Sequence, residues 1–127
     1  MRNMGRIIKP NFVHEDDRGI LREITRGHQW RQLNEYERKK GSIVGNHYHK
    51  TFEEFFFIIK GACTVKIVHM DTKKEEEFKA NEGDAFRIFQ MEAHTIKFDE
   101  DTIFITLLSE NFDSNSPDLH PFEIKMD

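Results

Sequence analysis

The chain has one cysteine, Cys63, among its 127 residues. No disulfide can form within it, and this usage fits a reducing, cytoplasmic setting. The longest apolar run, Phe55–Ile59, is five residues, against the ~20 that a membrane-spanning helix requires. The opening stretch, Met1–Pro10, is charged and lacks the apolar core of a secretory signal. A basic excess is missing too: 19 Lys+Arg stand against 23 Asp+Glu, for a net charge of −4. That balance argues against a dedicated nucleic-acid or membrane-surface binder. There is no P-loop, dinucleotide fingerprint, nucleophile elbow or Cys-x-x-Cys, and no linker, repeat or low-complexity segment. A chain of this length has room for one core and so reads as a single domain over residues 1–127.

What the chain does have is phenylalanine, 12 of them, a load that a disordered chain would not carry. The dominant pattern has period two. Cys63, Val65 and Ile67 alternate with Thr64 and Lys66, and Ile103, Ile105 and Leu107 alternate with Phe104 and Thr106. Alternation of this kind marks half-buried strands. Strands are expected over Ile7–His14, Ile20–Thr25, Trp30–Tyr36, Ser42–His49, Phe52–Ile59, Ala62–Met70, Glu75–Lys79, Ala85–Phe89, Thr95–Phe98 and Ile103–Leu107, with no helix. Turn signals such as Asp16-Asp17-Arg18-Gly19, Lys60-Gly61 and Asn81-Glu82-Gly83-Asp84 separate them. Regular turns between many short strands indicate an all-β sandwich or barrel. The segment Pro121–Ile124 is placed back against that barrel. Phe55-Phe56-Phe57 reads as a strand covered on both faces, which makes a homodimer a natural expectation.

Of the seven histidines, three are suggestively placed. His47 and His49 flank Tyr48 on an expected strand, so their rings project from the same face. Glu53 and Glu54 open the next strand, and His94 lies at the head of a later one. Three imidazoles and a carboxylate from neighbouring strands suit one divalent transition metal: Fe(II), Mn(II), Ni(II), Cu(II) or Zn(II). His14, His28, His69 and His120 show no ligand spacing. Cys63 sits on an alternating apolar face and reads as a buried structural thiol.

Gly41-Ser-Ile-Val-Gly-Asn-His47-Tyr-His49-Lys-Thr-Phe-Glu-Glu54-Phe-Phe-Phe-Ile-Ile-Lys-Gly61 resembles the first cupin motif at each fixed position. Gly83 and His94 resemble the second motif in spacing, with Phe89, Met91 and Phe98 replacing its Pro, Gly and Asn. The resemblance implies a cupin-type double-stranded β-helix, a jelly-roll barrel, holding one metal on His47, His49, Glu54 and His94. Glu54 is preferred to Glu53 by its spacing from Gly61.

Three further stretches resemble sugar-nucleotide epimerase and isomerase cupins. Asp16-Asp17-Arg18-Gly19-Ile20-Leu21-Arg22-Glu23 is similar to their D-x-R-G-x-L-x-E segment. Gly45-Asn46-His47-Tyr48-His49-Lys50-Thr51 is similar to a segment in the C-terminal cupin of capsular-polysaccharide epimerase/reductases, with Val44 where that segment usually has Arg. Asn111-Phe112-Asp113 with Pro117-Asp118 resembles the same family's tail. The resemblance implies an epimerase or isomerase acting on a nucleoside-diphosphate 4-keto sugar in polysaccharide biosynthesis. A Lewis-acid metal would polarise the ketone and an inward base would take the α-proton. Glu23, Tyr36 and His28 are the candidate bases. Arg18, Arg22, Arg31 and Arg87 are candidates for the diphosphate, and Trp30 for stacking. In metal-free relatives the residue at His47 is itself the base, a role incompatible with ligating a metal. Two other readings remain: a non-catalytic sugar-binding cupin, and a metal-dependent dioxygenase on the same four ligands.

Overall fold

The computed structural model describes residues 4–126. After a 3₁₀ turn at Met4–Arg6 come β1 (Phe12–Asp16), β2 (Gly19–Glu23), β3 (Gln32–Arg38), β4 (Ile43–Tyr48), β5 (Glu54–Lys60), β6 (Ala62–His69), β7 (Glu75–Asn81), β8 (Ala85–Ile88), β9 (Glu92–Phe98), β10 (Thr102–Leu108) and β11 (His120–Pro121). One sheet has the order β3-β10-β5-β8 and the other β11-β4-β9-β6-β7, while β1 and β2 form a hairpin sheet of their own. Every pairing between these strands is antiparallel. Among the described residues, no helix is long and apolar enough to cross a membrane.

The alternating residues decide how the two sheets meet. Phe56, Ile58, Phe86, Ile88 and Phe104 from one sheet interleave with Val65, Ile67, Phe78, Ile96 and Phe98 from the other. Phe56 stacks on Phe86 at 4.7 Å, and Phe78 meets Phe86 edge-on at 5.2 Å. Each such side chain contributes about 1.5–3 kcal/mol on burial, so these positions hold the sheets together. The β5–β6 corner is fixed by Gly61 at φ 104°, where an added Cβ would stand 2.5 Å from Asp101 O and 2.8 Å from Thr102 Cα. Only glycine fits there. Cys63 is buried in this core, and burial pushes its thiol up to about 12.

The structure corrects several expected boundaries. The first strand begins at Phe12, not Ile7. Pro10 has no N–H to offer a ladder, and only Ile8 makes an isolated bridge, to Ala85. Trp30 precedes β3 rather than opening it. His94 lies inside β9, not at its head, because the strand starts at Glu92. The preceding turn closes through Met91 in left-handed backbone at φ 67°, at the position where the second cupin motif has glycine, the residue that enters this region most cheaply. Of the three phenylalanines, Phe55 and Phe56 are buried and Phe57 is half-buried. Phe55 is covered from within the chain by Trp30, at 5.9 Å.

One contact had no sequence signal. Arg6 forks onto Glu76 (2.8 Å) and Glu92 (2.7 Å), and also donates to the Arg87 carbonyl at 2.9 Å. It thereby ties the segment before β1 across both sheets.

Candidate functional site

The inward histidines gather at one end of the barrel. His47 on β4 pairs in register with His94 on β9, their rings 4.8 Å apart, and His49 follows at 4.9 Å from His47. One ring nitrogen from each of the three histidines lies within 4.8 Å of the others. Glu54, the first residue of β5, enters from the opposite sheet. Its Oε1 is 2.9 Å from His49 Nε2 and 4.0 Å from His94 Nε2. Glu53 turns the other way and pairs with Arg87 at 2.6 Å, as strand alternation requires.

Backbone carbonyls orient the rings. His49 Nδ1 faces the Asp118 carbonyl at 2.7 Å, and His94 Nδ1 faces the Glu92 carbonyl at 3.1 Å. Each Nδ1 therefore carries the proton, which leaves both Nε2 atoms aimed at Glu54. A bare lone pair cannot sit 2.9 Å from a carboxylate oxygen, so a proton or a cation lies between His49 and Glu54. In the protein without metal it is a proton. Burial opposes charge on both groups, but their mutual hydrogen bond prevails, raising the His49 pKa and lowering that of Glu54. His47 is pushed down to about 4, first by burial and then by the neighbouring histidines. His94 is also lowered, mainly by burial. Burial thus favours the neutral ring at His47 and His94, while the hydrogen bond to Glu54 favours the charged form of His49.

Its donor chemistry fits a divalent transition metal. Ligands about 2.0–2.2 Å from one ion stand about 3–3.5 Å from each other; the Glu54–His49 pair at 2.9 Å already has that spacing, while Glu54–His94 at 4.0 Å and the histidine nitrogens, within 4.8 Å of one another, would draw in around an ion. His47, His49, His94 and Glu54 would hold it.

A cavity of about 290 Å³ opens above the cluster, lined by Gln32, Asn34, Tyr36, His47, His49, Phe52, Glu54, Leu108, Phe112 and Leu119. Period two on β3 brings Gln32, Asn34 and Tyr36 to this one face. Tyr36 is fixed by stacking on Phe104 at 4.8 Å, and His49 stacks on Phe52 at 4.1 Å. Asp118 latches the tail beside the cavity. Its carboxylate accepts the N–H of Lys50 (2.9 Å) and Thr51 (2.7 Å), the Thr51 hydroxyl (2.7 Å) and His120 Nε2 (2.9 Å). Those bonds outweigh its burial and hold its pKa below the usual range.

Of the expected bases, only Tyr36 lines this cavity. Glu23 lies on the hairpin, paired with Arg26. His28 sits against Trp30 (5.3 Å) and accepts from Arg87 Nη1 (3.1 Å). Arg18 pairs with Asp16 at the exposed hairpin turn, Arg22 is exposed on β2, and Arg31 faces Glu110 at 3.5 Å. Arg87 and Trp30 form an outer-face cluster with Glu53 and Phe89. The tetrad is thus assembled with Tyr36, while the expected cations and Trp30 are absent from the lining. Sequence reading passed over Gln32, Asn34, Asn46 and Asp118; the period-two run on β3 was the available signal for the first two.

Two facing antiparallel sheets with a histidine–carboxylate cluster at one mouth define a cupin barrel. A family model described as polysaccharide biosynthesis C-terminal domain matches residues 14–120, and the chain belongs to that family. Among solved structures, it is similar to the capsular polysaccharide assembling protein CapF of Staphylococcus aureus, at 26% identity and TM-score 0.69. That match covers 89% of this chain and 34% of CapF, so the chain spans about a third of that relative. It is similar to the dTDP-4-dehydrorhamnose 3,5-epimerase of Sulfolobus tokodaii at 25% identity and TM-score 0.75, covering 90% of this chain and 76% of the epimerase. The fold is also that of the WlaRB TDP-quinovose 3,4-ketoisomerase of Campylobacter jejuni, with 16% identity, TM-score 0.78, and coverage of 91% and 90%. No curated protein matches the chain.

Proposed function

We propose that this chain is a metal-binding cupin that epimerises or isomerises a nucleoside-diphosphate keto sugar by moving a proton at the carbon beside the ketone. The observation that carries this reading is the cluster itself: His47, His49 and Glu54 line the floor of a cavity about 290 Å³ in volume, with His94 buried behind them. That space suits one sugar ring, not a whole nucleotide. Relatives in fold are named a dTDP-4-dehydrorhamnose 3,5-epimerase and a TDP-quinovose 3,4-ketoisomerase.

A divalent ion on His47, His49, His94 and Glu54 supplies Lewis-acid polarisation of a ketone. The remaining work falls to side chains. Gln32 and Asn34 offer hydrogen bonds to sugar hydroxyls. Tyr36, on the sheet opposite His47, is positioned to exchange a proton with the sugar. Phe52, Phe112 and Leu119 give apolar walls that limit water.

Among the described residues no lysine or arginine lines the cavity, yet a diphosphate needs cations. The β1–β2 hairpin exposes Arg18 and Arg22 beside Phe12, Val13, Ile20 and Leu21. A two-stranded hairpin is marginal by itself, and the outer face of the β3-β10-β5-β8 sheet also exposes Leu33 and Ile59. Homodimerisation would cover these apolar residues and bring the hairpin cations of a second copy to a nucleotide.

The test is incubation with a TDP-4-keto-6-deoxy sugar in D₂O, followed by NMR of the sugar. Deuterium entering beside the ketone, with a rate loss of about 10²-fold or more for Tyr36→Phe, is the expected result. Saturable binding with no exchange would replace the enzyme with a sugar-binding module.

A further inference from the structure

Strand β4 carries one residue more than its partner can pair. Val44 stands opposite Ile96 and Gly45 opposite Thr95, but the next pair is His47 with His94. Asn46 is the extra residue, in left-handed backbone at φ 58°. In an unbroken ladder Asn46 would stand opposite His94. Paired residues share a face, so Asn46, not His47, would then point into the barrel beside His94. The bulge shifts the parity of the strand by one. Val44 on the core and His47 in the cavity consequently face the same way, three positions apart.

The bulge is clamped from two sides. The Asn46 N–H donates to Thr95 Oγ1 at 3.2 Å, and that buried hydroxyl donates back to Asn46 Oδ1 at 2.8 Å. The same Oδ1 accepts the Ile124 N–H at 2.8 Å, while the Asn46 carbonyl accepts the Phe122 N–H at 2.9 Å. Asparagine enters the left-handed region at low cost, and its side-chain carbonyl meets both donors. Alanine would supply neither property, glycine only the first, and aspartate both.

We propose that Asn46 is a positioning residue: it clamps the β4 bulge to Thr95 and to the tail at Phe122 and Ile124, and so aims His47 at His94 and Glu54. The C-terminal segment is then part of the machinery that assembles the cluster, since it also supplies the carbonyl that orients His49. The functional weight of this clamp rests on the cavity being the site proposed above, whereas its geometry does not.

The experiment compares wild type with Asn46→Gly, Asn46→Asp and Ile124→Pro in the full chain. One readout is the ring-to-ring NOE between His47 and His94 in metal-free protein; the other is Co(II) affinity by titration. Wild type and Asn46→Asp are expected to keep the NOE and to agree within about threefold in affinity. Asn46→Gly and Ile124→Pro should lose the NOE and bind Co(II) at least about tenfold more weakly. Gly83→Ala, which strains a remote turn, should lower the melting temperature without moving either readout. Ile124→Pro removes one donor at the tail and keeps the test open if Asn46→Gly does not fold. The proposal is overturned if Asn46→Gly and Ile124→Pro behave as wild type, or if Asn46→Asp fails as Asn46→Gly does. Should wild type bind no Co(II) while the NOE pattern still follows the clamp, positioning stands and the metal reading falls.

Discussion

Gly45 enters the bulge at φ 106°, and a Cβ placed there would collide with the carbonyl oxygen of His94, with Thr95 Cα at 3.0 Å and the His94 carbonyl carbon at 3.2 Å. All three obstacles are backbone atoms of a paired strand, so none can swing aside. Gly45→Ala therefore carries two costs: about 1–2 kcal/mol for a positive φ and about 1–3 kcal/mol for overpacking. A total near 3–4 kcal/mol is a large share of the ~5–15 kcal/mol that holds a domain folded. At ~2.1 cal/mol/K per residue of unfolding entropy, a chain of this length should lose about 10–15 °C in melting temperature. Gly83→Ala is the internal control, since Gly83 also has positive φ, at 86°, but nothing lies within 4 Å of its would-be Cβ. It bears the conformational cost alone, roughly 4–7 °C. Calorimetric melts of both variants separate strain from collision. Equal losses in the two would refute the close approach of β4 to β9 at the cluster.

Arg6→Ala should cost about 3 kcal/mol in urea unfolding, because Glu76 and Glu92 would keep their burial without the guanidinium; Arg6→Lys should recover less than half, lacking the fork. Asp118 has a lowered folded pKa, so its ionisation contributes stability that is fully present above the unfolded value and lost as pH falls through the folded one. Asp118→Asn should therefore melt well below wild type at neutral pH, with the gap closing as the pH is taken below about 4; a gap that is constant with pH would contradict the latch. His47 in metal-free protein should stay neutral down to a midpoint of about 4, read from its ring carbon shifts by NMR. Because that pKa is depressed, protonation pressure at His47 destabilises the fold as pH falls from the ordinary histidine range toward 4. A midpoint in the ordinary histidine range would mean that the ring is solvated and outside the cluster.

The sheets were legible because period two is a strong signal and because residues such as Phe56, Ile67 and Phe98 are large enough for their parity to matter. His47 and His49 were legible for the same reason, since residues two apart share a face; alternation allows only one of Glu53 and Glu54 to point inward, and it was the spacing to Gly61 in the cupin-like motif that picked Glu54. Alternation cannot show a bulge. Counting back from His47 places Val44 on the outer face, while the structure puts it on the core, and the shift at Asn46 explains the difference. Arg87 illustrates another limit. Its apolar strand shows that one face is covered but not what meets the other, which proved to be Trp30, Phe89 and the Glu53 carboxylate. Asp118 is 64 residues beyond Glu54 in sequence, and its latch depends on a loop path that no local pattern encodes. Met91 sits in left-handed backbone at φ 67°, a conformation that glycine enters most cheaply, so the position is glycine-like in its backbone although the residue is not glycine.

We have proposed that His47, His49, His94 and Glu54 would together hold one divalent metal ion. Metal content by plasma mass spectrometry, after loading and desalting, tests it most directly. Wild type should retain about one ion per chain, with near-complete loss in His94→Ala and Glu54→Ala measured on folded protein. Wild type that retains none, or variants that retain as much as wild type, would contradict it.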